Sequence, residues 1–252
     1  MTALQTSTFR LDELLVARGL YPSRSRARDA ILRGTVTVDG KVEAKPGRAV
    51  AGDAAIGVED PASRYVSRAA LKLVYGLDTF AIDPQGANAL DIGASTGGFT
   101  QVLLERGAAH VTAIDVGHGQ LHESLANDAR VTAIEGLNAR DLTAVHLPQG
   151  APDLIVSDVS FISLKLALPP ALDLAVPGAK GIFLVKPQFE AGREAIGKGG
   201  LLRDPADADR VADDLRNWLD GVAGWRAIGI VPSPIEGGDG NREFLLAGEK
   251  HR

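Results

Sequence analysis

Residues 91–100 read DIGASTGGFT, a glycine-rich turn that follows an apolar run and leads into a helix-like stretch. Its spacing fits neither common phosphate cradle. Gly93 is followed by three residues and then Gly97-Gly98, so the Gly-x-Gly-x-x-Gly dinucleotide pattern is absent. No lysine closes the turn, as a phosphate loop requires. Asp91, directly before the turn, repels phosphate and suits a ligand with a cationic end. The glycines let the backbone approach that ligand closely. Asp115 ends the next strand-like segment, where a carboxylate can accept two hydrogen bonds from a ribose diol. S-adenosyl-L-methionine has a ribose, an ammonium and a sulfonium but no phosphate, and these features favour it.

Around this turn the chain alternates. Strand-like segments fall at 88–92, 110–115, 131–135, 153–157, 181–186, 226–231 and 243–247, with helical patterns between most of them. This predicts an α/β fold, a Rossmann-like, seven-stranded, mostly parallel sheet wrapped by helices. The last two segments are joined by a loop without a helix, so the last strand is expected to turn back antiparallel. The stretch 63–80, SRYVSRAALKLVYGLDTF, reads as helical, with Arg68 and Lys72 at i, i+4 on one side.

Of the 252 residues, 45% are hydrophobic and 23% charged, which places the chain among globular proteins. There is no cysteine, which excludes disulfides, thiolate metal sites and a cysteine nucleophile. His110, His118, His122, His146 and His251 show no ligand spacing, and no metal is expected. The N-terminal residues lack the pattern of a signal peptide, and no apolar run approaches a membrane span. A soluble, cytoplasmic protein is expected.

Net charge is −5, but it is unevenly spread. Residues 18–48 hold Arg18, Arg24, Arg26, Arg28, Arg33, Lys41, Lys45 and Arg48 against only Asp29, Asp39 and Glu43. A dense basic cluster on an acidic chain is an electrostatic footprint for nucleic acid. In RLDELLVARGLYPSRSRARDAILR (10–33), Leu11, Leu14 and Leu15 mark one short helix that Gly19 stops, and Ser23 can cap a second. Val36 and Val38 then alternate before an Asp39-Gly40 turn, a hairpin signal. Residues 51–62, AGDAAIGVEDPA, read as a linker. The expected division is a small α+β module over 1–60 and a body over 61–252.

The order Arg-Leu-Asp, Ser-Arg-x-x-Ala, Gly-x-Val-x-Val-x-Gly resembles the S-four-type RNA-binding module, over about 50 residues. Asp39 departs from that pattern, which more often has asparagine, a change the turn tolerates. The resemblance implies an RNA-docking surface built from Arg10, Arg18, Arg24, Arg28 and Lys41, set against phosphates.

In the body, SDVSFISL (157–164) places Asp158 at the end of the fourth strand, and FLVKPQFE (183–190) places Lys186 at the end of the fifth. A lysine at a buried strand end needs a carboxylate partner or a task. With Lys72 upstream and Glu243 at the last strand, these form a Lys-Asp-Lys-Glu set. SRAALKL, LDIGASTGGFTQVLL, DVGHGQL, SDVSFISL, LVKPQFE, GKGGLLRDP and GNREFLL together resemble the FtsJ-type RNA ribose 2′-O-methyltransferases and, with the N-terminal module, the TlyA (haemolysin A) family. That resemblance runs almost end to end. It implies an S-adenosylmethionine-dependent rRNA cytidine 2′-O-methyltransferase acting on ribosomal RNA or ribosomal subunits, with Lys72, Asp158, Lys186 and Glu243 as its catalytic tetrad. The expected cofactor contacts are Asp91, Gly93, Ser95, Thr96, Gly97, Gly98, Phe99, Asp115, Asn138 and Asp158. Arg68, Arg193 and Lys198 join the expected RNA contacts, the last two on a basic lid after Lys186.

Two rival readings differ in class, a membrane-active haemolysin and a non-catalytic RNA-binding protein. The absence of a spanning or strongly amphipathic basic helix speaks against the first, and the intact tetrad against the second.

Overall fold

The computed structural model describes residues 7–238 and 240–251. The chain divides into two compact units between Arg64 and Tyr65.

The first unit contains β1 (Thr8–Arg10), α1 (Leu11–Ala17), α2 (Arg24–Leu32), β2 (Val36–Val38), β3 (Lys41–Val42), β4 (Ala49–Ala51) and β5 (Ile56–Val58). Leu11, Leu14 and Leu15 from α1 and Ala27, Ala30 and Ile31 from α2 bury against Val36, Val38 and Val50. Ser23 caps α2 by accepting from the Arg26 amide. Asp39 and Gly40 both have positive φ, 51° and 77°, as a tight two-residue hairpin turn demands, and β2 pairs antiparallel with β3. The linker reading of 51–62 does not hold. Residue 51 closes β4 against β1, and β5 pairs with β2. Asp60 lies buried, receiving both terminal nitrogens of Arg33 at 2.8 and 3.0 Å and the Tyr21 hydroxyl at 2.9 Å. The stretch is therefore a wall of the module.

The second unit contains α3 (Ala70–Thr79), β6 (Asn88–Ile92), α4 (Gly98–Glu105), β7 (His110–Asp115), α5 (Glu123–Ala126), β8 (Val131–Glu135), β9 (Leu154–Ser157), α6 (Leu164–Ala167), α7 (Pro169–Leu174), β10 (Lys180–Val185), α8 (Pro187–Glu190), α9 (Asp207–Asp220), β11 (Trp225–Pro232) and β12 (Phe244–Lys250). The helix expected from 63 starts only at Ala70. Before it the Ser67 hydroxyl accepts from the Ala69 amide and Val66 donates to Gln101, so this segment is turns and Arg68 precedes the helix.

The seven strands run in the order β11-β12-β10-β9-β6-β7-β8. Neighbours from β10 to β8 are parallel, and β12 is antiparallel to both β10 and β11. Alternation along each strand feeds two cores. Leu90, Ile92, Ile155, Phe183 and Leu246 face α7 and α9, whereas Ala89, Leu154, Val156, Ile182 and Leu245 face α3 and α4. A sheet covered on both faces explains why its strands read as apolar runs.

Candidate active site

The turn after β6 depends on its glycines. Gly93 and Gly97 have φ of 81° and 95°, and a Cβ at Gly97 would stand 2.3 Å from Leu125. A Cβ at Gly93 would press on the Val159 backbone at 3.1 Å. Gly93 brings the turn against the loop that follows β9, and Gly97 brings it against Leu121 and Leu125. Two cavities open there. The larger, about 710 Å³, is lined by Gly93, Ser95, Asp115, Gln120, Asn138 and Asp158, among others. That volume suits a nucleoside-sized ligand. The smaller, about 140 Å³, is lined by Ser67, Thr96, Gly98, Phe99, Asp158 and Lys186, among others. Gly93, Ser95, Asp158 and Ser160 line both.

Strand register delivers the charged residues to this edge. Ile92 lies opposite Ser157, and the Asp158 amide donates to the Ile92 carbonyl at 3.0 Å. Val185 lies opposite Phe244, so Lys186 leaves β10 where Glu243 enters β12. Lys186, 9% exposed, forms an ion pair with Asp158 at 2.6 Å and donates to the Ser160 hydroxyl at 2.8 Å. Lys72, from the first turn of α3, pairs with Glu243, and both are buried. The expected set thus forms two lysine–carboxylate pairs, with Lys186 and Asp158 facing the smaller cavity. Lys72 and Glu243 line neither cavity.

Asp91 stands apart from the cavity walls. It is 0% exposed and lines neither cavity. Leu90 and Ile92 take one face of β6, so Asp91 takes the other, where the Thr100 hydroxyl donates to it at 2.6 Å. Its second oxygen has no hydrogen-bond partner. Burial pushes this carboxyl up to about 7, against the opposing Thr100 hydrogen bond. Gly97 also lines neither cavity. Asp115 does reach the larger cavity, but it already accepts from the amides of Ser95 at 2.8 Å and Gly117 at 2.7 Å. A carboxylate has about four lone-pair sites, so capacity for a diol remains.

A family model for FtsJ-like methyltransferases matches residues 65–250, and one for the S4 domain matches residues 9–56. The chain belongs to the FtsJ-like methyltransferase family, in its TlyA branch. The 16S/23S rRNA (cytidine-2′-O)-methyltransferase TlyA of Mycobacterium tuberculosis is 46% identical, over 94% of this chain and 88% of that protein. Hemolysin A of Brachyspira hyodysenteriae is 41% identical over 94% of this chain and 98% of its own length. A solved Streptococcus thermophilus structure, named as a hemolysin, superposes with a TM-score of 0.75 at 39% identity, covering 98% of this chain and 90% of that one.

In the S4 domain the basic cluster divides by partner. Arg24 reaches the buried Asp12 at 3.2 Å and Glu13 at 3.1 Å, and Arg10 holds Asp12 from the other side at 3.0 Å. Arg18 donates to the carbonyls of Gly52 and Ala54. Arg28 and Lys41 are exposed and show no side-chain partner among the described residues. In the FtsJ-like body Arg193 and Lys198 are exposed on two 3-10 turns after α8, joined by an Ile196–Leu202 bridge. Among the described residues there is no cluster able to hold a metal ion and no helix long and apolar enough to cross a membrane. Ser160, Gln120 and Arg140 line the larger cavity without having been marked by the sequence, since nothing distinguishes a serine or glutamine that will face a ligand.

Proposed function

We propose that this chain transfers the methyl group of S-adenosyl-L-methionine to a ribose 2′-hydroxyl of ribosomal RNA, at cytidine of the small-subunit RNA, the large-subunit RNA or both. The observation that carries this is Lys186, held by Asp158 and Ser160 where two cavities meet. The larger cavity fits the cofactor: Asp115 offers a ribose grip, Asn138 lies beside it, and the glycine turn leaves room without a phosphate-binding lysine. When bound, the cofactor supplies a methyl already activated on a sulfonium.

The chain's part is to place a weak nucleophile and steady the charge that grows on its oxygen. Lys186 aims N–H groups at the 2′-oxygen, and Asp158, which lines both cavities, balances its charge and takes up the hydroxyl proton as the O–CH3 bond forms and the S–CH3 bond breaks. Lys72 and Glu243, locked together, brace the edge from which Lys186 leaves β10. Arg28 and Lys41 of the module, with Arg193 and Lys198 of the loop after α8, meet RNA phosphates. Arg10, Arg18 and Arg24 also shape the module itself. The site of action is the cytoplasm, where ribosomal subunits are found.

The test is transfer of labelled methyl to each purified ribosomal subunit, followed by mapping of 2′-O-methylated positions. Label on neither subunit, with cofactor bound, would sink this reading. The hemolysin name carried by two relatives suggests membrane activity, and a vesicle-leakage assay on the same protein is expected to show none.

A further inference from the structure

Asp158 and Ser160 hold Lys186 in different ways. The Asp158 Oδ1 lies 2.6 Å from Nζ, but it has no aligned hydrogen-bond donor. Its contribution is charge, which has no strong direction. The Ser160 hydroxyl accepts a properly formed hydrogen bond at 2.8 Å, and hydrogen bonds weaken steeply when bent. An ammonium has three N–H groups at tetrahedral angles. Anchoring one on Ser160, with the carboxylate alongside, confines the others to the side facing the smaller cavity.

The loop carrying Ser160 is itself held from beyond. Phe161, next in sequence, has φ +64°, an uncommon conformation for a bulky residue. Its ring lies 5.0 Å from that of Phe189. Glu190, on the same short helix, accepts from the Ser163 hydroxyl at 2.5 Å and the Leu164 amide at 2.7 Å. Lys186 and Glu190 thus flank one helical turn and clasp the two ends of the 158–164 loop. Ser160, whose hydroxyl meets Nζ, lies within the segment held at both ends.

We propose that Ser160 is a positioning residue for methyl transfer, orienting the Lys186 ammonium so that a free N–H faces the reacting oxygen. This rests on the methyltransferase reading above. The experiment compares Ser160→Ala, Ser160→Thr and wild type on ribosomal subunits in single turnover, with S-adenosylhomocysteine affinity by calorimetry. Solvent exchange of the Lys186 ammonium protons is followed by NMR on the same proteins. Ser160→Ala is expected to be slower by roughly tenfold or more, the scale on which small misplacements act. Because Ser160 also lines the larger cavity, the rates are compared at saturating cofactor; the ammonium protons of Ser160→Ala are expected to exchange faster, and Ser160→Thr to recover most of the rate. A Ser160→Ala rate equal to wild type overturns the proposal, as does a threonine variant as slow as alanine. Wild type inactive on both subunits overturns the functional reading and with it the role, while the exchange measurement still reports whether Ser160 holds Lys186.

Discussion

Lys72 and Glu243 lie 171 positions apart in sequence and form an ion pair buried at both ends. Removing one partner strands the other charge in the interior, whereas replacing both does not. Lys72→Met and Glu243→Leu are each expected to lower the free energy of urea unfolding by about 3–5 kcal/mol, and the double variant by less than either alone. Costs that simply add would show that the two act separately.

Lys186 borders the smaller cavity and is absent from the wall of the larger one. Lys186→Ala is therefore expected to slow single-turnover transfer by about a hundredfold or more, as loss of one charge-stabilising donor does. S-adenosylhomocysteine affinity should hold. Asp115→Ala should do the reverse, weakening that affinity by removing a cavity wall and the acceptor for the Ser95 and Gly117 amides. Calorimetry on both variants decides; unchanged affinity in Asp115→Ala would remove it from the cofactor site.

Burial raises Asp91 from an ordinary 3.8 to about 7 in the folded protein. Between those values the folded state holds a proton that the unfolded state has released. Raising the pH through that window therefore lowers stability, and above about 7 the contribution is constant. Asp91→Asn cannot ionise, so the variant's stability relative to wild type is expected to climb across the window and then level off. Urea titrations at several pH values test this, and a flat difference curve would mean that Asp91 ionises normally.

The basic residues of the module should separate into two behaviours. Arg28→Ala is expected to leave thermal stability unchanged, weaken binding to ribosomal subunits and lower the salt slope of binding by about one unit. Arg24→Ala should lower the melting temperature as well, because the fully buried Asp12 then keeps Arg10 as its one counter-charge beside the Glu13 amide. Arg24 and Arg10 together depress the Asp12 carboxyl despite its burial. Identical behaviour of the two variants in melting would contradict this division.

Much of the body was legible because a sheet covered on both faces leaves long apolar runs, and the turns between them are marked by glycine. Asp158, Lys186 and Glu243 were legible as charges at strand ends. The seat of Asp91 was also legible in principle, since parity along β6 sets it opposite Leu90 and Ile92. Residues 51–62 misled because strands of three residues show no alternation, and the Arg33–Asp60 pair spans 27 positions. Arg24 shows a related limit: a sequence displays a charge but not the buried carboxylate that the charge also meets. Ser160 carried no mark at all.

Strand β12 is made after β11 yet lies between β11 and β10. Until it emerges, the largely apolar strand β10 has no β12 beside it, and Lys72 lacks Glu243. The pairing of β12 with β10 joins strands far apart in sequence, non-local pairing of the slow kind. Nascent or truncated chains ending before residue 244 would present an exposed apolar strand edge, a template for aggregation. The same strand thus covers that edge and, just before its first residue, brings Glu243 to Lys72.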